Sequence, residues 1–513
     1  MKKLIILYCL LLMYGSVAYA QECYPNQAGK YQYYLNMQGD VAKTFNKATL
    51  IHLLSQSKAV SKTSLETLEA AIETAAKSFP TAKTALLQKS VTMISAKDNL
   101  TEALAQFKDV FSFVEKLCFP KDMLLYEPND FAIGGNHPKT HLELIKAPGA
   151  WDISKGDSRI AIGITDTYMD PNHDEFKNKL TLLQNSSFVD HHGVAVAGCA
   201  AADTDNGIGI AAAGFHSSIV FSSQAFSDNV VLQMAQMQGV RVINCSWINN
   251  CSHSVTQQAV YDEIRNVHNV LVVAGAGNKP THCGDNAYVY PAAYNSVVSV
   301  TSVGHTNNVG HVNPTNGNKM NWKDCHEQTI GSVASTHHHN NKVNIAAPGY
   351  QVFTTYANNG YGYGWGTSFA SPIVAGVCAL VAAVNPCLTA TEIQNIVLST
   401  ADPSLYLIPE NANYTGLLGT GRVDAEAAVK RAFDLGTVYV QNQTYNGTTN
   451  TETAQTMLKA GYNVDNSQPF GNVIIKSGSN VTFRATHKIV FGENFKIENN
   501  AVFKAKIYQS TCF

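Results

Sequence analysis

Charge is what the sequence has least of: Asp, Glu, Lys and Arg make up 14% of its 513 residues and leave a formal net charge of −2. So nearly neutral a chain gives no electrostatic reason to expect nucleic acid or an anionic membrane as a partner. Long apolar runs are missing as well. The N-terminal run, residues 4–13, is too short to cross a bilayer as one helix, and no transmembrane segment is expected elsewhere. The cysteines show no zinc-binding spacing. Hydrophobic residues still reach 45%, which excludes a disordered chain, and the length calls for two or three domains.

The ends and the cysteines suggest export. Lys2 and Lys3, the short apolar run and Ala18-Tyr19-Ala20 form a signal peptide over residues 1–20. A secreted or extracellular protein, released or retained at the cell surface, is the expectation. Loss of Cys9 leaves ten of the eleven cysteines, an even number that an oxidising compartment can pair. Cys251, Cys283 and Cys325 lie in polar, loop-like stretches and are the disulfide candidates. Cys199, Cys245 and Cys378 sit in apolar segments and read as small core residues. Which cysteines pair is not legible.

Three further regions follow. Residues 21–125 hold strand-like runs at 31–37, 90–95 and 110–114 and helix-like runs at 64–77 and 99–107, an order that suits a small α+β domain. Residues 126–434 alternate short β-branched runs (159–165, 240–245, 270–274, 297–303) with helical stretches (255–267, 368–384, 391–399), the pattern of a doubly wound, mostly parallel α/β sheet. Residues 435–513 carry short β-type runs every six to eight residues from position 473 onward, expected to form a small all-β repeat or hairpin stack.

Peptide hydrolysis needs a nucleophile, a base, a group that orients the base, and donors for the developing oxyanion. Four local contexts offer these parts. Gly366-Thr367-Ser368-Phe369-Ala370-Ser371-Pro372 opens an apolar helix where Ser368 can present both its hydroxyl and its backbone N–H. The bland alternative is that Ser368 merely caps that helix. Asp166 ends the run Ile162-Gly163-Ile164-Thr165, and His191-His192-Gly193 opens another helix-like stretch. Val272-Val273-Ala274-Gly275-Ala276-Gly277-Asn278 ends in an amide donor.

These four strings, in this order, closely resemble the motifs of subtilisin-like serine proteases over residues 127–433. The resemblance implies that Asp166, His192 and Ser368 form the catalytic triad, with His191 the alternative base, and that Asn278 is the oxyanion donor. It also implies polypeptide substrates bound by strand addition at Ser246, Trp247, Ile248 and Gly277. Three positions depart from the family pattern: Tyr168 beside the aspartate, Val194 and Ala195 after the histidine, and bulky Ile248 where glycine is usual. No cofactor is required for the chemistry. A structural calcium ion is implied near Glu175 and Asn206, with Asp203 and Asp205 as further oxygen ligands. His337-His338-His339 is expected to be a solvated loop. Residues 21–125 resemble a propeptide that acts as an intramolecular inhibitor until cleaved, so a zymogen is expected. Residues 435–513 resemble sorting or attachment modules. The rival readings are a catalytically impaired relative that serves as a binding or attachment protein, and an esterase using the same triad.

Overall fold

The computed structural model describes residues 30–42, 44–57, 62–79, 82, 84–95, 97–98, 100–117, 126–131, 139–278, 283–284, 286–304, 337–408, 411, 414–465, 467–510 and 512. The expected signal peptide, the link 118–125 and Cys325 lie outside them. The chain divides into two compact units, residues 1–124 and 125–513.

The first unit runs β1 (Tyr31–Met37), α1 (Lys47–Gln56), α2 (Lys62–Ala71), β2 (Ile72–Lys77), α3 (Ala85–Gln88), β3 (Ser90–Ser95), α4 (Thr101–Ala105) and β4 (Phe111–Leu117). Its antiparallel sheet has the order β2-β3-β1-β4. Tyr33, Leu35, Leu50, Leu54 and Phe107 fill one buried cluster. The single helix expected over residues 64–77 is corrected to a helix followed by a strand. Ile72-Glu73-Thr74-Ala75-Ala76-Lys77 contains good helix formers, but pairing with β3 buries Ile72 and Ala75 and overrides their local preference.

The second unit begins with α5 (Thr140–Leu144), α6 (Ala147–Ile153), β5 (Ala161–Thr165), β6 (Leu180–Gln184), α7 (His192–Ala201), β7 (Ser218–Ser222) and α8 (Asp228–Ala235). It continues through β8 (Val240–Cys245), α9 (Val255–Asn266), β9 (Leu271–Gly275), β10 (Val297–Val303), β11 (Ile345–Pro348), β12 (Val352–Tyr356), β13 (Gly360–Gly364), α10 (Thr367–Val384), α11 (Ala390–Ser399) and α12 (Ala425–Leu435). Seven strands form one parallel sheet, in the order β11-β10-β9-β8-β5-β7-β6. The α/β fold expected from the sequence is thus observed. The strand order reverses around β5, and a ligand crevice opens beyond the carboxyl ends of strands at such a switch point. Asp166 follows β5, Ser246 follows β8 and Asn278 lies just beyond β9. Among the described residues α10 is the one helix long and apolar enough to span a membrane, and it is the buried core helix of this domain.

The remaining strands are β14 (Val438–Val440), β15 (Gln443–Tyr445), β16 (Thr449–Ala454), β17 (Met457–Ala460), β18 (Val473–Ile475), β19 (Asn480–Ala485), β20 (Lys488–Phe491), β21 (Phe495–Ile497) and β22 (Val502–Ile507). Each of the first six strands pairs in parallel with the third one after it, giving sheets β14-β17-β20, β15-β18-β21 and β16-β19-β22. The module is therefore a three-coil parallel solenoid rather than a stack of hairpins. Leu458, Val473, Ile475, Val481 and Phe483 fill its interior. It is tied to the α/β domain: Thr456 Oγ1 donates to Phe433 O at 2.6 Å, and Cys387 is disulfide-bonded to Cys512. Cys251 pairs with Cys283, whereas Cys199, Cys245 and Cys378 are buried free thiols.

Candidate active site

Asp166 leaves β5 buried, its N–H donating 3.0 Å to Ser222 O on the neighbouring strand. Its Oδ1 lies 2.6 Å from His192 Nδ1 and accepts from Thr167 N at 2.8 Å. His192 opens α7, and its N–H donates to the Asp190 carboxylate at 3.0 Å, an acidic group well placed at a helix start. The next residue has to be small: the Tyr168 backbone presses against Gly193 so closely that a Cβ there would clash with the Tyr168 carbonyl. Burial alone would push the His192 imidazole down, but the Asp166 carboxylate, by charge and hydrogen bond, and the Asp190 charge hold it above the ordinary histidine value. His191 points elsewhere. Its ring stacks on Tyr356 at 4.8 Å and its Nδ1 accepts from Ala357 N at 3.2 Å.

Ser368 is the second residue of α10. Pro372 lies four residues further on and has no N–H to offer the Ser368 carbonyl. Ser246 Oγ fills that role, donating to Ser368 O at 2.9 Å, while Ser368 Oγ donates to Ser246 O at 3.3 Å. Ser246, expected only to bind substrate, is thereby also bonded to Ser368. Trp247 is fixed beside it by its indole N–H, which donates to Thr165 O at 3.0 Å.

Asn278 carries an amide whose orientation is set by Thr367, a residue that sequence reasoning passed over. Thr367 N donates to Asn278 Oδ1 at 2.8 Å and Thr367 Oγ1 approaches the same oxygen at 3.2 Å. With the amide oxygen engaged, the Nδ2 group is turned the other way. Gly366, at φ 130°, passes so near that a Cβ there would stand 3.0 Å from Nδ2, so the position favours glycine on both counts. Asp166, His192, Ser246, Trp247, Ile248, Gly277, Asn278 and Ser368 all line one cavity of about 420 Å³, with Asp190, Phe226 and Thr367. Every residue assigned to catalysis or substrate binding from the sequence is thus brought to one place.

The subtilase (Peptidase S8) family matches residues 157–453, more than half of the chain. This protein belongs to the subtilase family. Thermitase of Thermoactinomyces vulgaris is 33% identical over 324 residues, covering 60% of this chain and 100% of the relative. A thermophilic serine proteinase of Bacillus sp. (strain AK1) is 31% identical over 271 residues, 49% of this chain and 59% of the relative. Subtilisin DY of Bacillus licheniformis is 28% identical over 306 residues, 56% of this chain and 97% of the relative. The subtilase is a serine endopeptidase with polypeptide substrates, and its seven-stranded sheet is the subtilisin-like α/β fold.

Of the implied calcium ligands in this subtilase, Glu175 and Asn206 meet, whereas Asp203 lies 3.8 Å from Lys179 Nζ and the Asp205 carboxylate accepts from Tyr126 and Asn129. Glu175 is fully buried and its pKa is pushed up to about 7, first by burial and then by the Asp130 charge. Asp130 is also buried, and its Oδ1 accepts no hydrogen bond among the described residues. Asp130 Oδ1 is open to a cation, but both Glu175 oxygens accept hydrogen bonds within the protein, and no group of three or more His, Cys, Asp or Glu side chains that could hold a metal is found among the described residues. Asn206 does not present its oxygen to either carboxylate: its Nδ2 donates to Glu175 Oε2 at 3.2 Å, and its Oδ1 accepts from Ile208 N at 3.0 Å. The histidine run also differs from expectation. His337 and His338 are buried rather than solvated, packed beside the Gly277–Asn278 turn. Polarity alone suggested a loop in water, but the turn leaves a space that a ring fills.

Proposed function

We propose that the subtilase hydrolyses peptide bonds through Ser368 as nucleophile, His192 as general base and acid, and Asp166 as the group that orients the imidazole. Asn278 Nδ2 and the Ser368 N–H stabilise the oxyanion. The observation that carries this reading is the convergence of all four residues on one cavity, with Asp166 and His192 joined at 2.6 Å. Asp166 at Nδ1 leaves Nε2 as the atom that accepts a proton. The Ser368 hydroxyl turns from the Ser246 carbonyl to Nε2, gives up its proton, and its oxygen bonds to the scissile carbon. His192 then returns the proton to the leaving amine as the C–N bond breaks. A water attacks the acyl ester by the same route and restores Ser368. The oxyanion that forms twice is negative and transient, so donors held ready for it lower the barrier more than they aid binding.

The same reading takes residues 1–20 as an export signal, residues 21–125 as an inhibitory propeptide and the secreted product as a zymogen. A calcium ion held by Asp130 and Glu175 would supply charge neutralisation and stability only, with no step of the reaction passing through it. Ser368→Ala in the purified, processed enzyme tests the chemistry. Cleavage of an unfolded polypeptide should fall by several orders of magnitude with the thermal unfolding midpoint unchanged. Retention of wild-type turnover in that variant would refute the assignment.

A further inference from the structure

We propose that His338 is a positioning residue for Asn278, bracing from one side the turn that carries the oxyanion donor. The proposal rests on the assignment of Asn278 as that donor. The turn needs bracing because Gly277 has no side chain of its own to lock it and adopts φ 110°, a conformation that costs glycine little and other residues more. Thr367 holds it from one side, through its hydrogen bonds to the Asn278 amide oxygen and a 3.1 Å bond from Gly277 N to Thr367 Oγ1. On the other side stands His338.

Three contacts place it there. Its N–H donates to Gly277 O at 2.9 Å, and His337 pairs with Asn278 in an antiparallel bridge. Its imidazole lies against Gly277 itself: a Cβ at that residue would be 2.9 Å from His338 Nδ1 and 3.3 Å from both Cγ and Cε1. His338 is in turn fixed to the sheet, because Thr301 Oγ1 on β10 donates to its carbonyl at 2.5 Å. The ring is fully buried. Gly277 and Asn278 are therefore clamped between β10, acting through His338, and the start of α10, acting through Thr367. An oxyanion donor is effective only when it stands 2.7–3.1 Å from the oxygen it serves, a tolerance that a loosened turn exceeds.

The test is a double-mutant cycle on the processed enzyme, with kcat and KM measured on a chromogenic peptide. His338→Ala should lower kcat about tenfold and leave KM within about twofold, since the lost interaction belongs to the transition state. In the Asn278→Ala background the same change should cost less than about twofold, because the group it positions is already gone. A packing defect unrelated to Asn278 would instead multiply the two losses, and that result would overturn the proposal. So would a change in KM alone, or wild-type kcat in His338→Ala. If the alanine variant fails to fold, His338→Phe restores a ring against Gly277 and should show the same non-additivity with Asn278→Ala at a smaller loss; multiplied losses there would equally overturn it. Full kcat in Asn278→Ala alone would overturn the donor assignment as well, and so separates the two failures.

Discussion

Asp190 is expected to affect catalysis without touching the reacting atoms. Its carboxylate caps the start of α7 and, with Asp166, favours the charged imidazole of His192. A general base must be neutral, so the acid limb of kcat/KM should lie above the ordinary histidine pKa of about 6.5. Asp190→Asn removes one of the charges that stabilise the imidazolium and should move that limb to lower pH. A pH–rate profile of the two proteins checks the direction. At Asn278, alanine should cost about 10²–10³ in kcat, the size of effect measured for the corresponding donor in subtilisin itself. The residues proposed as triad and donor, which the structure brings to one cavity, stand out in the sequence because each sits in a short contiguous string. Thr367 is not, since its importance comes from an amide 89 residues away in the chain. His338 was misread for a related reason: residue type predicts water, and only the fold supplies the glycine it packs on.

Glu175 belongs to the loop after β5, and its state is set by the strand and loops that bury it. If calcium is bound, chelation should lower the unfolding midpoint and Glu175→Gln should remove that dependence. Without a cation the sign of the pH effect is fixed by the raised pKa. A carboxyl whose folded value is about 7 stabilises the fold below its unfolded value, and this contribution is lost as pH rises through about 7. Thermal unfolding across pH 5–8 in calcium and in chelator distinguishes the two outcomes. Among the elements, β8 and β10 lie where their continuous β-branched runs put them, because both faces of the sheet are buried, and α9 and α10 lie where helical patterning puts them. β2 does not, because an edge strand of alanine, glutamate and lysine is specified by its partner rather than by its own residues. The solenoid strands β18 to β22 stand out as short runs and β14 to β17 do not, and parallel coils and hairpins place such runs at the same intervals. Only the pairing of each strand with the third after it decides between them.

Cys512, beyond the last described solenoid strand, is tied to the α/β domain. Cys512 reaches Cys387 across 125 residues of sequence, so the solenoid is covalently closed onto the loop between α10 and α11. Replacing Cys387 and Cys512 with serine should destabilise the second unit by about 2–4 kcal/mol and expose the solenoid to proteolysis, read by thermal unfolding and limited digestion. This closure was not legible in the sequence, since spacing alone leaves connectivity open. Mass spectrometry of expressed Ser368→Ala should show residues 21–125 still attached, if they are a propeptide that the enzyme's own activity removes. The central claim is narrower: one serine does the chemistry. Labelling the processed enzyme with a fluorophosphonate, followed by peptide mapping, tests it most directly. The adduct should sit on Ser368 and vanish in His192→Ala; an adduct on any other serine would contradict the account.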